Sequence, residues 1–282
     1  MSDGKRLIDL LSATDEFFKS RGIDAPRRNA EALFAKALEI PRIELYLQYD
    51  RPLKEHELEG IRELIRRRAK REPLQYIIGR VDFCGATIGL RPGLLIPRPE
   101  TEELATEFAK LLAPGARVLD IGCGSGCISV ALAKSGAHVV AVDVDATAIE
   151  QTNENARTNG VQLETVRSDL FDAEFPATAR APFDAVISNP PYIRDDEYAS
   201  LQTEVRDYES KRALISGPSG LEFYQRIADL LPQLLTSGGA LGLEFGLGQA
   251  EPIRTLFAPH LTSLTIHRDI QGHERFIVGR SC

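Results

Sequence analysis

Apolar residues recur at helical spacing through roughly the first 70 positions, and beyond position 110 they gather into short continuous runs separated by amphipathic stretches. Ile8, Leu11, Phe17 and Phe18 define one helical segment, and Ala30, Leu33, Phe34, Ala37 and Leu38 a second. Gly22 and Pro26 mark the break, and Pro26 suits a first helical position, where its missing N–H would have had no partner anyway. Leu58, Ile61, Leu64 and Ile65 predict a third helix near 55–70, with glutamates early and Arg66, Arg67, Arg68, Lys70 and Arg71 at its end, where they complement the helix dipole. That basic run reads either as a solvated helix end or as a docking surface for an acidic protein or RNA. Between 80 and 97, short alternating segments with Gly85, Gly89, Pro92 and Gly93 predict a β-hairpin, and residues from 97 onward open a helix reaching Leu112.

Past that helix, apolar runs near 117–121, 138–142, 162–166, 184–188, 239–245, 262–267 and 275–279 alternate with helical stretches at 127–135, 146–158, 219–236 and 248–258. Such alternation predicts an α/β fold, a mostly parallel doubly wound sheet preceded by a small helical domain. The last two strands are separated by a short turn, so the final one is expected to be antiparallel. Asp120, Asp143 and Asn189 then fall at the C-terminal ends of strands, where ligands bind such sheets. The expected organisation is a helical domain at 1–79, a hairpin linker at 80–97 and an α/β domain at 98–282.

The chemistry concentrates at two of these strand ends. After the strand ending at Ile121 comes Gly122-Cys123-Gly124-Ser125-Gly126-Cys127, whose alternate glycines let backbone approach a ligand closely. A dinucleotide fingerprint needs GxGxxG, and Cys127 stands where its third glycine belongs, which disfavours NAD. About 20 residues on, Asp143 ends the next run, where a carboxylate can accept two ribose hydroxyls. S-adenosylmethionine carries a ribose and no pyrophosphate, and suits a loop of this kind. The second strand end carries Asn189-Pro190-Pro191-Tyr192. Both Asn189 and Pro190 precede a proline and are pushed toward extended backbone, giving a stiff loop rich in acceptors. The Asn189 side-chain oxygen and the Pro190 carbonyl could accept both hydrogens of one planar NH2 group while the Tyr192 ring stacks on it. Holding those hydrogens out of plane would return the nitrogen lone pair for attack. The plainer reading is an Asn-Pro turn.

With 43% hydrophobic and 27% charged residues the chain has an ordinary globular composition, and no apolar run approaches the ~20 residues that span a bilayer, so a cytoplasmic, membrane-free protein is expected. Cys84, Cys123, Cys127 and Cys282 form no CxxC pair and have no histidine at zinc-ligand spacing, so they are expected to be reduced thiols with no metal. Charge is uneven. Residues 1–80 hold 17 basic and 14 acidic side chains, a net of +3, against 17 and 27 beyond, a net of −10. An acidic catalytic half argues against a nucleic-acid substrate and fits an attached recognition module.

Together the glycine loop and the Asn-Pro-Pro-Tyr loop resemble those of class I methyltransferases acting on planar amino groups. Residues 74–79, Phe83, 91–102, 168–171, Glu204, Val205, Glu209, Ala213, Leu214, Gly220, Leu221 and Tyr224 narrow the resemblance to the release-factor glutamine methyltransferase family, over roughly residues 5–280. Cys123, Ser210, Ser219 and Glu274 depart from that family's usual residues. The resemblance implies a Rossmann-like domain with a seven-stranded sheet, S-adenosylmethionine as cofactor, and peptide chain release factors as protein substrate, methylated on the glutamine of a Gly-Gly-Gln motif. It implies cofactor contacts from Gly122, Cys123, Gly124, Ser125, Gly126, Asp143, Leu170 and Asn189, with Leu170 packing on the adenine, and a substrate clamp from Asn189, Pro190, Pro191 and Tyr192. Rival readings are a ribosomal-protein glutamine methyltransferase, a nucleic-acid amino methyltransferase and a non-catalytic cofactor-binding scaffold.

Overall fold

A computed structural model describes residues 6–282. The chain forms two compact units, one from the N-terminal part through Gly79 with Gln202–Tyr208, the other from Arg80–Leu201 and Glu209–Cys282.

The first unit is helical: Leu7–Ser20, Pro26–Leu38, Arg42–Leu47, Glu55–Ala69 and Leu74–Ile78, with the short helix Thr203–Arg206 contributed by the later segment. On the first helix the buried stripe is Leu7, Leu11, Thr14 and Phe18, while Ile8 and Phe17 are half-buried. The spacing of 4, 3 and 4 follows one helical face, rotated by a residue from the expected one. Leu33, Phe34, Leu58, Ile61 and Ile77 complete the core. Part of the basic helix end is consumed internally. Arg68 is buried, donating to Asn29 Oδ1 at 2.7 Å and to Glu204 at 3.2 Å, and Arg71 reaches the same carboxylate at 3.1 Å. Arg66 pairs with Glu63 and Arg67 with Glu72. Arg68 and Arg71 therefore hold this unit together, whereas Arg66 and Lys70 stay exposed on its surface.

The second unit opens with the antiparallel hairpin β1 (Arg80–Phe83) and β2 (Ala86–Gly89). Its large sheet comprises β3 (Arg117–Ile121), β4 (His138–Asp143), β5 (Glu164–Arg167) and β6 (Phe183–Ser188), then, after the small parallel pair β7 (Ile193–Arg194) and β8 (Ile215–Gly217), β9 (Leu235–Glu244), β10 (Leu261–Arg268) and β11 (Glu274–Ser281). The order is β10-β11-β9-β6-β3-β4-β5, with β11 antiparallel to both neighbours and β3, β4, β5, β6 and β9 mutually parallel, as expected for a doubly wound sheet whose last strand is reversed. Central strands β3 and β6 are buried almost throughout because helices cover both faces. The β10–β11 turn is tied by Asp269, which accepts from Gln271 N, His273 N and Arg275 Nε.

Several boundaries differ from the sequence reading, three of them near the site or the sheet centre. Only 80–89 of the linker is hairpin. The helix expected to reach Leu112 is Pro99–Ala109, because residues 110–112 tighten into turns bonded to the carbonyl three residues back. β9 begins at Leu235, where it pairs with Phe183, and so shortens the preceding helix to Glu222–Leu234. Gly242 of β9 lets the Pro99–Ala109 helix come close, since a Cβ there would stand 2.7 Å from the Phe108 ring. No helix of the described residues is long and apolar enough to cross a membrane.

Candidate active site

The C-terminal ends of β3, β4 and β6 open onto a cavity of about 360 Å³ lying wholly within the second unit. Gly122, Cys123, Gly124, Ser125, Asp143, Leu170, Asn189, Pro190 and Pro191 all line it, so the sequence-derived residues converge on one space. Gly126 lies just behind, where the helix Cys127–Lys134 begins. Tyr192 is not part of the lining.

Backbone and side-chain hydrogen bonds shape the glycine loop. Gly122 N and Cys123 N both donate to the Val142 carbonyl, at 2.8 and 3.0 Å, tying the loop to the end of β4. Asp143 accepts Gly124 N on Oδ2 and Asp145 N on Oδ1, each at 2.9 Å. Burial pushes its carboxyl pKa up, and these two N–H groups oppose the shift. Each oxygen retains a lone pair for the ribose hydroxyls expected of it. Below the loop Asp120 is fully buried, accepts from Ser129 Oγ at 2.5 Å and leaves Oδ1 enclosed without a partner. Burial drives its pKa up to about 7 against the Ser129 hydrogen bond. Cys123 and Cys127 are buried thiols with pKa values raised by desolvation, Cys127 to about 12, so both stay neutral.

Sequence reasoning missed the polar face of the helix Ala146–Thr158 that braces this loop. Asn155 Nδ2 donates to the Ser125 carbonyl at 2.8 Å and to the Gly89 carbonyl at 3.0 Å, while Oδ1 accepts Gly89 N at 2.8 Å. Asn159 makes the same paired contact with the backbone of Thr87. Four helical residues advance about 6 Å and two strand residues about 6.8 Å, so an i,i+4 asparagine pair can zip onto alternate residues of β2. The available signal was a helix carrying Gln151, Thr152 and Asn155 where apolar residues belong; all three are buried.

The opposite wall is apolar. Leu170 is buried, and Phe171, half exposed at the rim, meets Phe223 edge-on with ring centroids 5.1 Å apart. These two phenylalanines line the cavity beside Leu170 and extend the flat surface expected of Leu170 alone. The ionisable side chains of the lining other than its cysteines are Asp143, Asp145, Asp169 and Arg212, an excess of negative charge that suits a cationic ligand.

At the β6 tip Ser188 Oγ donates to the Ile121 carbonyl at 2.6 Å, locking the two loop-bearing strand ends together. Asn189 Nδ2 donates to Thr101 Oγ1 at 3.1 Å, and its Oδ1 is enclosed without a partner. Tyr192 departs from expectation. Its ring packs against the buried cluster beside Gly246, and its carbonyl accepts from Gln249 Nε2 at 2.9 Å, so it braces the loop from behind and does not stack in the cavity. Gln249 also bonds Gly246 N and the Gly220 carbonyl, a clasp with no signal in the sequence pattern.

Arg98 and Glu100 also stay out of the lining. Arg98 pairs with the buried Glu209, whose other oxygen accepts Ile96 N at 3.2 Å. Arg98→Ala is therefore expected to cost about 3 kcal/mol, the low end for orphaning a buried charge because Arg98 is itself a third exposed. Urea unfolding measures it, and a loss within error would show the pair to be dispensable.

Family models for the PrmC N-terminal domain and the Methyltransferase small domain match residues 9–79 and 100–214. Proteins named release factor glutamine methyltransferase are similar over nearly their whole length. One from Geobacter sulfurreducens is 40% identical over 278 residues, spanning 96% of this chain and 95% of its own, and one from Chlorobaculum tepidum is 40% identical over 288 residues, spanning 98% and 96%. Among solved structures, a T. thermophilus 16S rRNA N2 G1207 methyltransferase in complex with AdoMet and guanosine superposes with a TM-score of 0.51 at 18% identity, over 72% of this chain and 50% of that one. A methyltransferase from Pyrococcus furiosus gives 0.52 at 18% identity, over 70% and 89%. The structural likenesses are likenesses of fold.

Proposed function

Because this chain belongs to the release factor glutamine methyltransferase family, we propose that it transfers a methyl group from S-adenosylmethionine to the side-chain nitrogen of the glutamine in the Gly-Gly-Gln motif of peptide chain release factors. The observation that carries the reading is Asn189, a residue of the cavity lining whose side-chain oxygen is enclosed with no donor to meet it. Leaving such an atom unmatched costs roughly 1–3 kcal/mol, which a bound NH2 group removes.

The residues present fit the cofactor. The 122–126 loop and Asp143 would hold its polar part, Leu170, Phe171 and Phe223 would pack on its adenine, and the acidic lining would favour its positive charge. S-adenosylmethionine supplies an electrophilic sulfonium methyl that needs no further activation. The work of the protein is then positional. Asn189 Oδ1 and the Pro190 carbonyl accept the two amide hydrogens, withdraw them from the amide plane and leave the nitrogen lone pair directed at the methyl. Pro191 keeps that carbonyl in place, having no N–H and a fixed φ. The proton leaves once methylation has made the nitrogen positive, so the clamp needs no base of matched pKa.

We assign the helical domain, residues 1–79, to recognition of the release factor. Every residue lining the cavity belongs to the other unit, and the charge difference between the two parts of the chain supports separate tasks. Incubation with labelled S-adenosylmethionine and, separately, release factors, ribosomal proteins, tRNA and DNA tests the reading by mass spectrometry. The expected result is label on the Gly-Gly-Gln glutamine alone. Label on a ribosomal protein or a nucleic acid in its place would overturn it.

A further inference from the structure

The hydrogen bonds behind Asn189 have a fixed direction, and that direction decides which end of its amide faces the substrate. Thr101 sits in the first turn of the helix Pro99–Ala109, and Glu244 at the C-terminal end of β9, two residues beyond Gly242 and so on the same face of the strand. The close approach that Gly242 permits brings Thr101 Oγ1 to 2.6 Å from Glu244 Oε2. Thr101, Glu244 and the Asn189 Nδ2 contact at 3.1 Å form one chain, and both Thr101 and Glu244 are buried.

A hydroxyl has a single proton to donate, and an ionised carboxylate can only accept. With the Thr101 proton on Glu244, the Thr101 oxygen is left as an acceptor toward Asn189. Asn189 must therefore present its NH2 to Thr101, which leaves Oδ1 for the cavity. A reversed amide would set Oδ1 against the threonine lone pairs and aim NH2 at the incoming glutamine NH2, donor against donor. The reversed arrangement would not bind an amide nitrogen by its hydrogens.

We propose that Thr101 and Glu244 are positioning residues for methyl transfer, the carboxylate fixing the direction of the hydroxyl and the hydroxyl fixing Asn189 with its oxygen toward the substrate. This rests on the reading of Asn189 as the substrate clamp. Their separation of 143 positions in sequence, bridged by one buried hydrogen bond, places the polarity of the site in the packing of a helix on a strand. Burial raises the Glu244 carboxyl to about 7; the Thr101 hydrogen bond, Arg275 and Arg98 oppose the rise, and Glu100 adds to it. Tyr192, Tyr224 and Cys127 are further titratable groups that interact with it, and all stay neutral through this range because burial first, with Glu244 adding to it, holds their pKa values up. When Glu244 takes a proton it can donate to Thr101, the hydroxyl can turn to Asn189, and the enforced direction is lost.

Thr101→Val keeps the shape and removes the hydroxyl, whereas Thr101→Ser keeps the hydroxyl. In steady-state methylation of a release factor, Thr101→Val is expected to lower kcat by about 10²-fold with KM for S-adenosylmethionine within about twofold, and Thr101→Ser to stay within about threefold of wild type. Wild-type kcat in Thr101→Val, or a serine variant as slow as the valine one, would overturn the proposal. Should Thr101→Val fail to fold, Glu244→Gln decides: kcat of the wild type is expected to fall as pH drops through about 7 and the variant to lack that limb. An unchanged limb would overturn the proposal by assigning it to another group. A wild type that methylates no glutamine removes the functional reading itself, whereas wild-type glutamine methylation with an unaffected Thr101→Val removes only this inference.

Discussion

Asn189→Ala is expected to lower kcat for release-factor methylation by about 10³-fold while the protein still folds and still binds S-adenosylmethionine. The variant deletes an enclosed side-chain acceptor that, among the described residues lining the cavity, alone lacks a protein partner, so the substrate amide keeps its planar, unreactive form. Folding should lose only the Nδ2 bond to Thr101, about 1 kcal/mol for a half-buried hydrogen bond. The glycine loop and Asp143 hold their shape through bonds to Val142, Gly124 and Asp145, none of which involves Asn189. Kinetics beside a thermal melt and a cofactor titration separate these effects. Normal turnover would dismiss the clamp, and loss of cofactor binding equal to the loss of rate would make Asn189 a cofactor residue alone.

The second large effect is expected at Gly126, where the glycine loop becomes a helix. Its φ is +76°, and a Cβ added there would stand 2.7 Å from Thr152 Oγ1, 2.8 Å from Thr152 Cγ2 and 3.0 Å from Thr152 Cα. Rotating the Thr152 side chain clears the first two contacts and leaves the third, which is backbone. Thr152 is also fully buried and donates to the Gly124 carbonyl at 3.3 Å, so displacing it distorts the loop from within. Gly126→Ala should therefore cost about 2–4 kcal/mol, from positive-φ strain and overpacking together, and weaken cofactor binding more than tenfold. Urea unfolding and calorimetric titration report the two losses. A variant as stable as wild type would mean that the helices Cys127–Lys134 and Ala146–Thr158 part more easily than their packing implies.

Both effects fall on residues that were legible in the sequence, because parallel strands announce themselves as continuous apolar runs and the residue that ends each run is where ligands bind. Asp143 and Asn189 were found that way, and the structure brings both to one cavity with the glycine loop. What could not be read is the direction in which side chains pair across long separations. Arg68 and Arg71 looked like a solvent-facing or docking run until Glu204, more than 130 positions away, was placed against them. Tyr192 carried the aromatic ring expected to stack on substrate, but the bulk of a phenol finds more burial beside Gly246, and the loop turns it there. Asn155 and Asn159 carry no local pattern that names their partners, and only the fold sets the edge of β2 against them. Hydrophobic period fixes faces and strand ends; hydrogen-bond polarity depends on which elements meet, and no local pattern encodes that.

The most direct measurement is a crystal structure of the protein with S-adenosylhomocysteine and a peptide containing Gly-Gly-Gln. The expected result places the glutamine side-chain nitrogen about 2.9 Å from both Asn189 Oδ1 and the Pro190 carbonyl. A glutamine bound outside the cavity, or one whose carbonyl oxygen and not its nitrogen faces Asn189, would contradict it.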